Sequence, residues 1–157
     1  MKKITKIISI FTLAILLSSC GFKQINKKNI GSINIQNINV IGEKRIAYTL
    51  KNNILLISDI SSKNKYDAEI KIQKTKNNKI KNKLGQIKRF TLSVSANLQL
   101  INLNNNNKIR KTFLRNSDYE VAKIHSNSIS NENSAMKIII EQLTEDIINF
   151  INFSVKK

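Results

Sequence analysis

The chain offers one thiol and one imidazole to nucleophilic or metal chemistry, Cys20 and His125. A single cysteine excludes an internal disulfide framework and any zinc site built from cysteines. Taken alone, Cys20 has four possible uses: buried core group, nucleophile, metal ligand or attachment point. His125 has no serine or cysteine partner at motif spacing and reads as an exposed loop residue. The acids are few, ten in all. Glu141 and Glu145, at i and i+4, fall on the polar side of a helix and read as a solvated pair. Asp67 and Glu69 share the outward face of a strand and could hold a cation. No glycine-rich phosphate loop is present. These groups do not assemble into a catalytic constellation, so the chain reads as a non-enzyme.

The remaining chemistry is cationic. The stretch "KTKNNKIKNKLGQIKR" (74–89) carries Lys74, Lys76, Lys79, Lys81, Lys83, Lys88 and Arg89. Net charge over the 157 residues is +17, and a basic surface attracts phosphate. A coding bias toward AT-rich codons, which favours Ile, Asn and Lys together, produces the same excess on an ordinary solvated surface. Both origins remain open at the level of composition.

The N-terminus decides between the uses of Cys20. Lys2, Lys3 and Lys6 precede the apolar run "IISIFTLAILL", and small residues follow, which is the layout of a secretory signal. That run is 11 residues long, against roughly 20 for a helix that spans a bilayer, so removal is expected rather than anchoring. "LSSC" (17–20) resembles the lipobox of bacterial lipoproteins: an aliphatic residue, two small ones, then cysteine. The resemblance implies a thioether-linked diacylglycerol on the Cys20 sulfur and an acyl chain, such as palmitate, on its new amine. At about 0.8 kcal/mol per buried methylene, three chains anchor a protein durably. Gly21 follows in place of the aspartate that marks inner-membrane retention in enteric bacteria, which points to the periplasmic face of the outer membrane. Removal of residues 1–19 takes three lysines and no acid, leaving +14.

The elements that must carry the basic stretch follow from periodicity. Residues 20–31 read as a lipidated tether, and 32–157 as one domain. "SINIQNINV" places Ile33 and Ile35 on one face, then Ile38 and Val40 after a one-residue slip, which predicts a strand with a bulge. Ile46, Leu50, Ile54 and Ile57 form a helical stripe, with Glu43 in its first turn, and "SSKNK" (61–65) is a loop. "YDAEIKIQK" alternates with Tyr66, Ala68, Ile70 and Ile72 inward, and 74–86 reads as a turn or long hairpin tip. Phe90, Leu92, Val94, Ala96, Leu98 and Leu100 define the clearest strand, its other face Thr, Ser, Asn and Gln. After an Asn-rich turn (102–108), "IRKTFL" returns as a fourth strand with either Ile109/Phe113 or Arg110/Leu114 inward. An irregular stretch, 115–129, leads to a final helix capped by Ser130 and striped by Met136, Ile139, Ile140, Leu143, Ile147, Phe150 and Ile151. The order β-α-β-β-β-α predicts an α+β two-layer sandwich, a mostly antiparallel four-stranded sheet with two helices on one face.

"CGF" after the lipobox, that element order, "FTLSVSANLQL" and "NSISNENSAMKIIIEQLTEDIINFI" together resemble LptE, the lipopolysaccharide-assembly lipoprotein family of Gram-negative bacteria. The resemblance implies a protein that plugs the outer-membrane β-barrel LptD, helps it fold, and binds lipopolysaccharide during its transport to the outer membrane. A polar lumen would suit the Thr/Ser/Asn/Gln face of the third strand. It further implies bases for lipopolysaccharide between strands two and three, here Lys79, Lys81, Lys83, Lys88 and Arg89, with Lys81 the best counterpart. A second basic region is implied near the start of the last helix, where Lys123 and His125 are the nearest bases, short of the helix as placed from Ser130. The alternative is a lipid-anchored periplasmic module that holds an anionic ligand without a barrel. A nucleic-acid partner is not expected behind a secretory signal, and stacking aromatics are sparse: Tyr66 and Phe90 read as inward-facing.

Overall fold

A computed structural model describes residues 33–155. The signal segment 1–19, Cys20 and the tether 20–31 lie outside the described residues. Four strands and two helices follow in the order β1 (Asn34–Ile41), α1 (Lys44–Leu55), β2 (Lys65–Lys81), β3 (Ile87–Asn102), β4 (Lys108–Glu120) and α2 (His125–Val155). The sheet order is β1-β2-β3-β4. β1 and β2 are parallel because α1 carries the chain back between them, and the other pairs are antiparallel. Both helices cover one face, giving the expected two-layer α+β sandwich.

The helical layer buries Ile46, Leu50 and Ile54 from α1 and Ile139, Leu143, Ile147 and Ile151 from α2. Opposite them lie Ile70, Leu92, Leu98 and Leu100 of the sheet, all essentially inaccessible. The slip in β1 is real: its register against β2 shifts between Ile35 and Asn37, so Ile35 and Ile38 both face the helices. Gly42, at φ +138, makes the turn into α1. A Cβ there would stand 2.6 Å from the Ile72 carbonyl oxygen and 2.9 Å from its Cβ, so only glycine lets the turn press against β2. In β4 it is Phe113 that is buried, with Ile109 packed beside it, while Leu114 is exposed.

Three expectations are corrected, and the reason is shared. β2 continues to Lys81 where a turn or hairpin tip was expected from residue 74, β4 continues to Glu120 across "RNSDYE", and α2 starts at His125 rather than after Ser130. In all three places polar side chains occupy positions that face the opposing layer. Lys74 and Lys76 continue the inward row of β2, and Arg115 occupies the inward row of β4. The first two turns of α2 are held by polar contacts. Ser128 Oγ accepts from the Ala122 N–H at 2.9 Å, and Asn131 Nδ2 donates to the Glu120 carbonyl at 3.0 Å.

Candidate functional site

The basic stretch forms the far half of a long β2–β3 hairpin. β1 pairs with β2 only as far as Lys71, and β4 pairs with β3 only as far as Arg89. Beyond these points the arm thins to two strands, closed by a turn at Asn82–Gln86. Asn82 builds that turn: its Oδ1 accepts from the Leu84 and Gln86 N–H groups at 3.0 and 2.9 Å, and its Nδ2 donates to Gln86 Oε1 at 2.9 Å. Gly85 closes the turn at φ +77 in the left-handed region, which suits glycine in a three-residue hairpin loop.

The five expected ligand-binding bases divide into two groups. Lys79 and Arg89 are committed within the sheet: Lys79 pairs with Asp118, and Arg89 pairs with Glu120. Thr91 also donates to Asp118, at 2.6 Å. The Lys79 ammonium, followed by the Thr91 hydroxyl, holds the Asp118 carboxyl below the usual range. Lys81, Lys83 and Lys88 are exposed and make no ion pair among the described residues. Beside them Ile80 is half exposed and Leu84, at 83 %, is almost wholly so. The tip therefore presents three free ammonium groups with apolar side chains between them, a surface matched to an amphiphilic anion.

Lys123 and His125 belong to the same end of the molecule. His125 is the first residue of α2, correcting its placement short of the helix, and both side chains are exposed. The Val121 N–H donates to the Lys88 carbonyl at 2.9 Å, so the 121–124 connection lies against the base of the arm. Ile124, also exposed, adds an apolar side chain here. The structure thus gathers the two basic regions that the sequence holds 30-odd residues apart.

Lys74 and Lys76 have another role, which sequence reasoning missed. Both face the helices and meet Glu132 of α2. Lys76 Nζ lies 2.8 Å from Glu132 Oε2, which also accepts from the Tyr119 hydroxyl at 2.7 Å. Lys74 bridges Glu43 at 3.3 Å and Glu132 at 3.9 Å. Lys76 also caps the stacked Phe90–Tyr119 pair, 4.4 Å from the Phe90 centroid, a cation–π contact. The Lys76 hydrogen bond lowers the Glu132 pKa, and the reciprocal contact raises that of Lys76. Burial is the main reason that the Tyr119 phenol is pushed up. A signal was available: lysines at even positions of β2 keep the inward parity of Ile70 and Ile72.

The paired carboxylates do not converge. Asp67 accepts from the Asn37 backbone and side chain, both at 3.1 Å, whereas Glu69 faces Lys71 at 3.2 Å. Glu141 is exposed and pairs at 3.9 Å with Lys137, and Glu145 is exposed. The sheet face opposite the helices carries Thr91, Ser93, Ser95, Asn97 and Gln99 of β3 and is not covered by any described element. Thr112 Oγ1 donates to Asn97 Oδ1 at 2.6 Å, and Arg110 Nε donates to Gln99 Oε1 at 2.7 Å across it. The face is a mesh of amides, hydroxyls and paired charges.

No family model and no curated relative matches the sequence. Solved structures do match the fold. A candidate lipoprotein of Caulobacter crescentus CB15 superposes with a TM-score of 0.59 at 15% identity, covering 83% of this chain and 96% of its own. Rare lipoprotein B of Shewanella oneidensis gives 0.52 at 8% identity over 80% and 94%. An uncharacterized lipoprotein B of Nitrosomonas europaea gives 0.50 at 14% identity over 87% and 93%. This chain shares their fold, over nearly the whole length of each.

Proposed function

We propose that this chain is an outer-membrane lipoprotein of the LptE kind, acylated at Cys20. In this reading it plugs and helps assemble an LptD-type β-barrel and offers its basic hairpin tip to lipopolysaccharide during insertion into the outer membrane. It is not an enzyme: it acts by holding a polyanionic glycolipid and by filling a polar lumen. The observation that carries the reading is the tip, with Lys81, Lys83 and Lys88 free of acids and Leu84 exposed between them. The fold shared with bacterial lipoproteins and the lipobox at 17–20 point the same way. Phosphates on a glycolipid attract the ammonium groups, and its acyl chains suit Ile80 and Leu84. The uncovered Thr/Ser/Asn/Gln face suits a hydrated barrel wall.

Two measurements test the two ends of this reading. Radiolabelled palmitate should enter the wild-type chain and not Cys20→Ser; no incorporation into wild type would remove the lipoprotein. Lipopolysaccharide binding should fall at least about tenfold in the combined variant Lys81→Glu, Lys83→Glu, Lys88→Glu, because three attractive charges become repulsive. Unchanged binding would leave the tip an ordinary solvated surface.

A further inference from the structure

The opposite end of the molecule has a composition that neither the core nor the hairpin site explains. It is built from the loop 56–64 and the turn 103–107, tied together by hydrogen bonds. The Leu103 N–H donates to the Lys65 carbonyl at 2.9 Å, and Asn104 Nδ2 donates to the Lys63 carbonyl at 3.1 Å. On this end Leu56 is 68 % and Ile60 88 % exposed, with Leu55 and Leu103 about two-fifths exposed. Lys63, Lys65 and Lys108 are exposed beside them and pair with no acid among the described residues. Two acids lie nearby, Asp59 exposed in the loop and Asp67 half-buried on the outer face of β2, and each is held by neutral partners. Asp59 accepts from the Ser61 N–H and hydroxyl at 3.0 and 2.7 Å, and Asp67 accepts from Asn37. This end therefore shows apolar side chains flanked by three lysines that outnumber the one fully exposed acid, Asp59.

The chain also enters the fold here. The Ile33 carbonyl accepts from the Asp59 N–H at 2.8 Å, and Asn34 Nδ2 donates to the Ile60 carbonyl at 3.0 Å. Ile33 and Asn34 are thus laced into the loop that carries Leu56 and Ile60. Residues 21–32 separate this point from Cys20, a span of at most about 45 Å when fully extended. An acyl anchor on Cys20 would hold this end, rather than the hairpin tip, nearest the bilayer.

We propose that this end seats on an anionic lipid surface, with Leu56, Ile60 and Leu103 entering the headgroup layer and Lys63, Lys65 and Lys108 resting on its phosphates. Apolar side chains flanked by lysines are the composition that binds such an interface. The proposal rests on the lipoprotein reading for the tether alone. The seating also sets the orientation of the molecule, since β2 and β3 carry the hairpin tip away from this surface.

The chain contains no tryptophan, so a single introduced indole reports its own position. Full-length chains carrying Ile60→Trp, Leu56→Trp, Tyr48→Trp or Leu84→Trp are reconstituted in phosphatidylethanolamine–phosphatidylglycerol vesicles. A fraction of the lipid is brominated near the headgroup end of its chains. The indoles at 60 and 56 should shift to the blue and lose most of their fluorescence, while those at 48, on the side of α1, and at 84, on the tip, keep theirs. Equal fluorescence at all four positions in chains that float with the vesicles would overturn the seating while leaving the acyl anchor intact. Greater quenching at 84 than at 60 would overturn the orientation. A blue shift at 60 without bromine quenching, found only with a co-purifying protein, would mean that a protein covers this end and would refute the proposal. If mass spectrometry finds Cys20 unmodified, the lipoprotein reading fails separately. The unmodified chain should still float with phosphatidylglycerol vesicles and be quenched at 60, and failure to do so would sink the seating as well.

Discussion

Glu132 is the residue on which the charged half of the inter-layer contact turns. It receives Lys76 and Tyr119 through one oxygen and faces Lys74 through the other. Glu132→Gln keeps the shape and removes the charge, leaving Lys76 without an acid among the described residues and Lys74 with Glu43 alone. We expect a loss of about 1–2 kcal/mol in denaturant unfolding, above a typical surface pair because one acceptor serves three groups. The sign of the pH dependence follows from the lowered pKa values of Glu132 and Asp118. Their contribution is fully present above their ordinary values, 4.5 and 3.8, and is lost as pH falls through the lower native values. At the alkaline end Lys76 and Tyr119 are raised, so their contribution is present below 10.5 and 10.0 and is lost above. Unfolding midpoints against pH should therefore show a plateau between roughly 5 and 9, with an acid limb that is shallower in Glu132→Gln. Gly42 is the second sensitive residue. Gly42→Ala should cost about 3 kcal/mol, since it adds a side chain at positive φ and drives Cβ into the Ile72 backbone. A variant as stable as wild type would show that the β1–α1 turn moves freely, against the contact described.

At the scale of elements, legibility in the sequence tracked how apolar the buried row was. Ile70, Leu92, Val94 and Leu98 alternate without interruption, and both those strands and the α2 stripe from Met136 to Ile151 are read directly from period. The bulge of β1 is equally plain, because Ile35 and Ile38 cannot share a face without it. The ends of β2, β4 and α2 were lost where Lys74, Lys76, Arg115 and Ser128 replaced apolar groups. Arg115 makes the point: it reads as a surface residue, yet its Nε and Nη2 donate to the two Asp146 oxygens at 2.6 and 2.7 Å and tie β4 to α2. Period analysis senses burial and not pairing, so a charged row facing a helix resembles a loop. The five bases of the candidate site were likewise legible as a cluster. Which of them are neutralised was not, because Asp118 and Glu120 lie 31 to 39 residues away in sequence from their partners. Core and arm should also separate experimentally. Leu143→Ala removes a fully buried side chain between the layers and should cost about 3 kcal/mol. Cutting 80–88 back to a tight turn should leave the melting temperature within a few degrees while abolishing lipopolysaccharide binding. A collapse of the fold on shortening would make the arm a structural element instead.

The whole molecule is polarised along its strands. One end gathers the hairpin tip with Lys81, Lys83, Lys88, Lys123 and His125, and the other gathers Ile60, Leu56 and the entry of the tether at Ile33. Between them one face is sealed by two helices, and the other is an uncovered mesh of Ser, Thr, Asn and Gln. A lipid-held plug needs such a division: an anchored end, a hydrated flank against its partner, and a projecting end for the cargo. Lysines without an acid partner among the described residues stand at both ends and also along α1 and β4, while Lys74, Lys76, Lys79, Arg89 and Arg115 are paired. The barrel partner is the central claim, and affinity purification of the tagged full-length chain from detergent-extracted outer membranes tests it most directly. The account predicts one large, heat-modifiable β-barrel in stoichiometric amount. Recovery of the chain alone, from membranes in which such a barrel is present, would contradict it.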